Sequence, residues 1–321
     1  MNTLKKIGLT ALGTSLVAGS AYAGEITASG DAGYTFSSES IGVRSDEGYG
    51  FNHDITFSGS GELDNGFTVS TTMILTEDSG LSSSNVALTM GGMGTITIGN
   101  GLGGVGGGFD AVTPFAYEEN HDGMATTTAI DSMGALTDGN AVLYSSPSFD
   151  LGGASASFTF GYTPEAGDAA TGEGGVSAQS INYGSGMAAG AKVSMGGLTA
   201  GIMGEEVEND QGDNSVSGAT RRANAMSATW FANYTVGPVS FGYQVAGVDH
   251  GINAAATSAN AVKTVAAAGG FFESELMSVA FNVNENLSIS YGELTETYNA
   301  QDNASSAIAN VDMESDSIQF A

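Results

Sequence analysis

From Glu25 onward, apolar and polar side chains alternate with a period of two, segment after segment. Over residues 25–36 one face carries Ile26, Ala28, Gly30, Ala32, Tyr34 and Phe36, and the other carries Glu25, Thr27, Ser29, Asp31, Gly33 and Thr35. Over 224–236, Met226, Ala228, Trp230, Ala232, Tyr234 and Val236 share a face. Over 239–249, Val239, Phe241, Tyr243 and Val245 stand opposite Ser240, Gly242, Gln244 and Ala246. Fourteen such segments can be marked: 25–36, 51–63, 67–76, 84–90, 95–99, 141–148, 154–163, 184–195, 198–208, 224–236, 239–249, 275–283, 287–297 and 312–321. Side chains of a strand point alternately to opposite faces, so each segment is a strand with one apolar and one wetted face.

The connections sort themselves by length. Short ones fall at 63–66, 91–94, 149–153, 195–197, 236–238 and 284–286, rich in the Asn-Gly and Gly-Gly pairs that tight hairpins use. Long ones fall at 37–47, 77–83, 100–140, 164–180, 209–223, 250–272 and 298–311. Long and short alternate without a break, which puts every tight turn at one end of an up-and-down sheet and every loop at the other. A β-sandwich is compatible with the alternation but has no reason to sort its loops. The sorting predicts an all-β, transmembrane, antiparallel up-and-down β-barrel, with apolar faces on lipid and Ser, Thr, Asn and Gln faces on water inside. Such a sheet must close on itself, because hydrocarbon satisfies no backbone N–H or C=O. Tyr34, Phe36, Phe51, Phe67, Tyr162, Tyr234, Phe241, Phe271, Phe272 and Tyr298 are candidates for interfacial girdles, and His53 falls on the outer face as a candidate interface or subunit contact.

Composition adds three points. MNTLKK, an apolar run and Ala21-Tyr22-Ala23 have the form of a cleaved export signal over residues 1–23, leaving a barrel over 24–321. The net charge is −28, and loss of Lys5 and Lys6 with the signal takes it two further, to −30, which excludes a nucleic acid partner. Cysteine is absent, so there is no disulfide and no thiolate metal site.

The longest connection, 100–140, opens GNGLGGVGGGFD and carries Asp110, Glu118, Glu119, Asp122, Asp131 and Asp138. A loop of this length is a candidate functional element. We expect it to fold into the barrel mouth, with these six acids as candidate constriction residues. Arg44, Lys192, Arg221, Arg222 and Lys263, the only Lys and Arg beyond residue 23, are the candidate lumen-facing cations, with capping of an external loop as the other reading for Arg221 and Arg222. Glu118, Glu119 and Asp122 could together hold a structural Ca²⁺, the hard cation that oxygen-rich ligand sets suit, or could be plain solvated acids. No catalytic or nucleotide-binding motif is present, so an enzyme is not expected.

With GEITASGDAGYTF at 24–36, SGSGELDNGFTVST at 58–71 and NVALTMGGMGTITIGN at 85–100 running into the long loop, the chain resembles the general porins of Gram-negative outer membranes. It looks most like the glycine-rich, acidic porins of alphaproteobacteria. The resemblance implies a sixteen-stranded barrel in the outer membrane, surrounded by lipid and lipopolysaccharide and assembled as a homotrimer. It implies passive diffusion of small hydrophilic solutes past an inward-folded third loop, with no cofactor beyond a structural Ca²⁺. Two departures follow. The family sets loop acids against a cluster of Arg and Lys, whereas here only Arg44 precedes Lys192, so a cation-favouring pore is expected. The chain also shows fourteen strands, and its ending ESDSIQFA reads as the upper part of a strand. A missing C-terminal hairpin is therefore expected, with a fourteen-stranded barrel as the other reading. A substrate-selective porin and a non-channel structural or adhesin barrel are the alternative functions.

Overall fold

The computed structural model describes residues 26–41, 44–76, 80–102, 104–116, 129–130, 133, 137, 140–164, 166, 184–208, 215–216, 219–221, 224–249, 251–253, 271–299 and 311–321. Fourteen strands carry the architecture: β1 (Ile26–Ile41), β2 (Arg44–Glu62), β3 (Thr68–Leu75), β4 (Leu81–Thr89), β5 (Thr95–Asn100), β6 (Ala141–Ser145) and β7 (Ser155–Thr163), followed by β8 (Gly186–Met195), β9 (Leu198–Val207), β10 (Ala225–Val236), β11 (Val239–Asp249), β12 (Phe271–Asn284), β13 (Leu287–Asn299) and β14 (Val311–Phe320). Each pairs antiparallel with the next, so sheet order is chain order. A two-residue strand, Phe149–Asp150, adds to β7, and a small separate sheet joins Ser215–Val216, Ala219–Arg221 and Ile252–Asn253.

These strands match the fourteen alternating segments one for one. Their tight turns form where expected. At the β2–β3 turn Gly66 has φ 80°, a left-handed geometry that glycine adopts without steric cost, and the Asn65 side chain accepts the Phe67 N–H at 3.0 Å. The outward face is apolar and open: Trp230 is 46% exposed, Phe241 50% and Met277 50%. Large apolar side chains presented this way around an up-and-down sheet are what a bilayer-spanning barrel shows to hydrocarbon.

Three expectations need correction. The connection at 37–47 is mostly strand: β1 and β2 stay in register up to Ile41 opposite Arg44, leaving only the tip between them. Phe272 and Tyr298 are not girdle residues. Both point inward, are fully buried and pack on each other with ring centres 4.9 Å apart. Finally, residues 314–321 are the lower half of β14. That strand runs beside β13 from Tyr298 down to Ile289, and Ala321 exchanges two backbone hydrogen bonds with Ser288, next to the β12–β13 turn.

One register row shows how the interior changes around the sheet. It passes through Ser60, Ser70, Ala87, Thr97, Leu143, Gly161, Ala188, Glu205, Ser227, Val248, Phe272 and Tyr298. It starts beside a tight turn on β2 and ends at the loop end of β13, the stagger that tilted barrel strands require. Its early members are small. From Ala188 on all are buried, and they include the charged Glu205 and the bulky Val248, Phe272 and Tyr298.

Candidate functional site: the third loop on the inner wall

The segment after β5 turns inward at Gly101, where φ is 62° and a Cβ would press on the Ser82 carbonyl at 2.3 Å. It then winds through a single 3-10 turn, Gly106–Gly108. Val105, Phe109, Ala111 and Thr113 are all buried. They are covered by the inward faces of strands that follow the loop in sequence.

The inner wall makes room for the loop with glycine. A Cβ at Gly161 would lie 2.9 Å from Val105, one at Gly190 would lie 2.5 Å from Phe109, and one at Gly242 would lie 2.3 Å from Pro114. Contacts that close are not available to a real side chain, so these inward positions form a trough shaped to the loop. Next to the trough the wall is apolar, with Met203, Phe231, Leu276 and Leu294 all buried. Loop residues Val105, Phe109, Ala111, Ala129, Ile130 and Met133 and these wall residues form one continuous core inside the barrel. Fully burying a side chain such as Phe109 contributes about 1.5–3 kcal/mol, so this contact holds the loop firmly. The expectation of a uniformly polar inner face therefore fails over β8–β13, because the loop, not water, covers that wall.

Polar contacts set the loop's course. The Gln244 side chain spans it: its NH₂ donates to the Phe109 carbonyl at 2.6 Å and its oxygen accepts the Val112 N–H at 2.9 Å. Asn233 donates to the Val112 carbonyl at 2.6 Å. The Ala116 N–H donates to the Ser290 hydroxyl at 3.0 Å, and the Ser288 hydroxyl donates back to the Ala116 carbonyl at 3.3 Å. The outbound run thus descends from β8 to β13. The return run lies higher, where the Ala129 N–H donates to the Glu296 carboxylate at 2.9 Å and the Thr137 hydroxyl donates to Glu205 at 2.7 Å. Both carboxylates are buried. Ser274 also donates to Glu296 at 2.8 Å, and Ser227 to Glu205 at 2.5 Å. Glu205 and Glu296 went unnoticed in the sequence. The signal was there, in two acids on inward positions of strands whose neighbours carry hydroxyls.

Of the expected constriction acids, Asp110 is described: it is half-buried, at the end of the glycine turn, with its N–H on the Gly106 carbonyl at 2.9 Å. Glu118, Glu119, Asp122, Asp131 and Asp138, and with them the expected Ca²⁺ ligands, lie outside the described residues. Among the described residues no group of three His, Asp or Glu side chains converges on a metal site. Lys192 faces inward, but under the loop rather than into open lumen, donating to the Gly108 carbonyl. Arg44 begins β2 at the far end of the β1–β2 ribbon, opposite Ile41. Arg221 belongs to the small separate sheet, opposite Ile252, and not to the barrel wall. Arg222 and Lys263 lie outside the described residues. His53 sits on the outward side of β2 against Phe51, with ring centres 5.0 Å apart.

Among the described residues the loop touches the opposite wall only where it leaves it, at Gly101 against Ser82. Inward positions of β2–β5 carry Thr56, Ser58, Thr72, Ser70, Asn85 and Thr97, half-buried hydroxyl and amide side chains, together with Asp54, Glu62 and Ile74.

A family model described as "Gram-negative porin" matches residues 8–312. No curated protein matches the chain. Among solved structures, OmpF of Salmonella typhi in complex with daunomycin aligns with TM-score 0.60 at 15% identity, covering 90% of this chain and 83% of that one. A porin refined at 1.8 Å resolution aligns with TM-score 0.50 at 13% identity, covering 92% and 94%. At these identities the structures speak for the shared fold.

Proposed function

The chain belongs to the Gram-negative porin family, which places it in the bacterial outer membrane as a channel and not an enzyme, and we propose that its pore is a cation-favouring sieve for small hydrophilic solutes. The observation that carries this reading is the asymmetry of the inner wall. The third loop covers β8–β13, and the side left facing it is lined mostly by small hydroxyl and amide groups, with the acids Asp54 and Glu62 among them and no Lys or Arg on β3–β5. Small side chains leave a wide passage, and neutral polar groups bind nothing tightly, which suits diffusion rather than capture. The cation preference is supported by charge: the whole chain carries 35 acids against seven Lys and Arg. Lys192, the one of these cations with a described side chain, turns into the loop instead of the passage.

Export with removal of residues 1–23, assembly as a homotrimer and contact with lipopolysaccharide complete the proposal. Lipid-bilayer recording of the purified, refolded chain tests its core. Steady ohmic conductance is expected, with a reversal potential under a KCl gradient displaced toward the K⁺ limit. A folded protein with no conductance would refute the open passage, and an anion-directed reversal potential would refute the cation preference.

A further inference from the structure

Lys192 lies in β8, the first strand of the covered wall. Its ammonium donates to the Gly108 carbonyl, in the 3-10 turn that begins the loop's inward run. The same nitrogen stands 4.6 Å from the centre of the Phe109 ring and 5.8 Å from that of Phe231. Those rings meet edge to face with centres 6.0 Å apart. Directly across from Lys192 in register is Gly201, where a Cβ would lie 3.0 Å from Phe109 and 2.5 Å from Phe231. The rings therefore sit in the space that Gly201 leaves empty and present their π faces to the ammonium. A lysine head group is compact and strongly hydrated, and leaves water only for partners of this strength: an ion–dipole hydrogen bond and two aromatic faces.

We infer that Lys192 is a positioning residue for the constriction: it pins the Gly106–Gly108 turn to the wall, and its charge sets where the loop lies rather than which ions pass. The inference rests on the channel reading for its effect on ions, but the pin itself is a statement about the loop. Gly108 fits it too, because a Cβ there would already meet the ammonium at 3.4 Å.

The test uses the full chain folded in lipid, with K192M, K192R and K192Q. Amide hydrogen exchange over residues 104–111 reports the pin without requiring conduction. In K192M these amides should exchange about tenfold faster than in the parent, as expected for a segment that opens locally. In bilayer recordings K192M should close transiently several-fold more often, with its KCl reversal potential unchanged. K192R, which keeps a cation able to donate and to stack, should restore slow exchange and quiet channels. Unchanged exchange in K192M overturns the pin, as does a reversal potential that moves toward the cation limit in an otherwise quiet channel. If K192M does not assemble, K192Q carries the same comparison, since it keeps an N–H donor without the charge. A quiet K192Q with an altered reversal potential would assign Lys192 to ion preference instead. A parent protein that folds but does not conduct would refute the channel reading, and the exchange experiment would still judge the pin.

Discussion

The inner walls of β2–β5 and β8–β13 share one sheet, one register and one alternation, yet they are built from different side chains. On β2–β5 most inward positions are small hydroxyls and amides, such as Ser58, Thr72 and Asn85, with Asp54, Glu62 and Ile74 among them. On β8–β13 they are glycines that open a trough, apolar residues that fill it, and Gln244, Glu205 and Glu296 aimed at loop backbone and hydroxyls. The first wall is made to face solvent and the second to face protein. Period-two patterning records only which side of the sheet a residue is on. It does not record what covers that side.

The sharpest way to break this contrast is to fill the trough. Gly190→Leu drives a branched side chain into Phe109 and Val105, which an ideal Cβ would meet at 2.5 and 3.1 Å. It should lower stability in lipid vesicles by about 3 kcal/mol, the upper end for overpacking, and shift single-channel conductance as the loop lifts. Urea unfolding of the refolded protein measures the first effect. If Gly190→Leu is as stable as the parent, the trough is not a packing site.

A smaller loss is expected from Glu296→Leu, which strips the acceptor from the Ala129 N–H and the Ser274 hydroxyl. Leaving buried donors unsatisfied should cost about 1–3 kcal/mol, and Glu296→Gln, which keeps an acceptor, should lose clearly less. The same unfolding curve ranks the two. Equal losses would mean that the carboxylate's hydrogen bonds contribute little to holding the return run.

The open wall should behave in the opposite way. Thr72→Lys should leave stability within about 0.5 kcal/mol, as solvent-facing changes do, while moving the KCl reversal potential toward the anion side. Thr72→Val should change neither measurably. A large stability loss from either substitution would show that this wall is also packed, and the two regions would then be alike.

Much of the fold was legible because strand faces obey a simple rule. Trp230, Phe241 and Met277 fall outward as their alternation requires, and each tight turn appears at its expected place. The ends of elements were less legible. The β1–β2 ribbon continues through Ser and Glu positions that read as loop, since cross-strand pairing and not side-chain character sustains it. The loop's destination was legible only in outline. Gly161, Gly190 and Gly242 were lost among 49 glycines, and their meaning depends on which strand faces the loop, a long-range fact. Phe272 and Tyr298 looked like girdle residues because an aromatic near a strand end reads the same on either face. A search for inward positions that switch from hydroxyl to glycine and large apolar along the chain would have located the covered wall.

The loop's partners also fix an order of events. Its backbone at Ala116 and Ala129 is held by Ser290 and Glu296, 174 and 167 residues further along the chain. Contacts so distant in sequence form late, since the intervening chain must be brought in first. Until β12 and β13 are in place, the loop has only the part of its seat that β7–β11 supply, at Gly161, Gly190 and Gly242. A sheet without β13 would hold the loop's outbound run at Phe109 and Val112, through Gln244, and leave its far end at Ala116 and Ala129 unanchored.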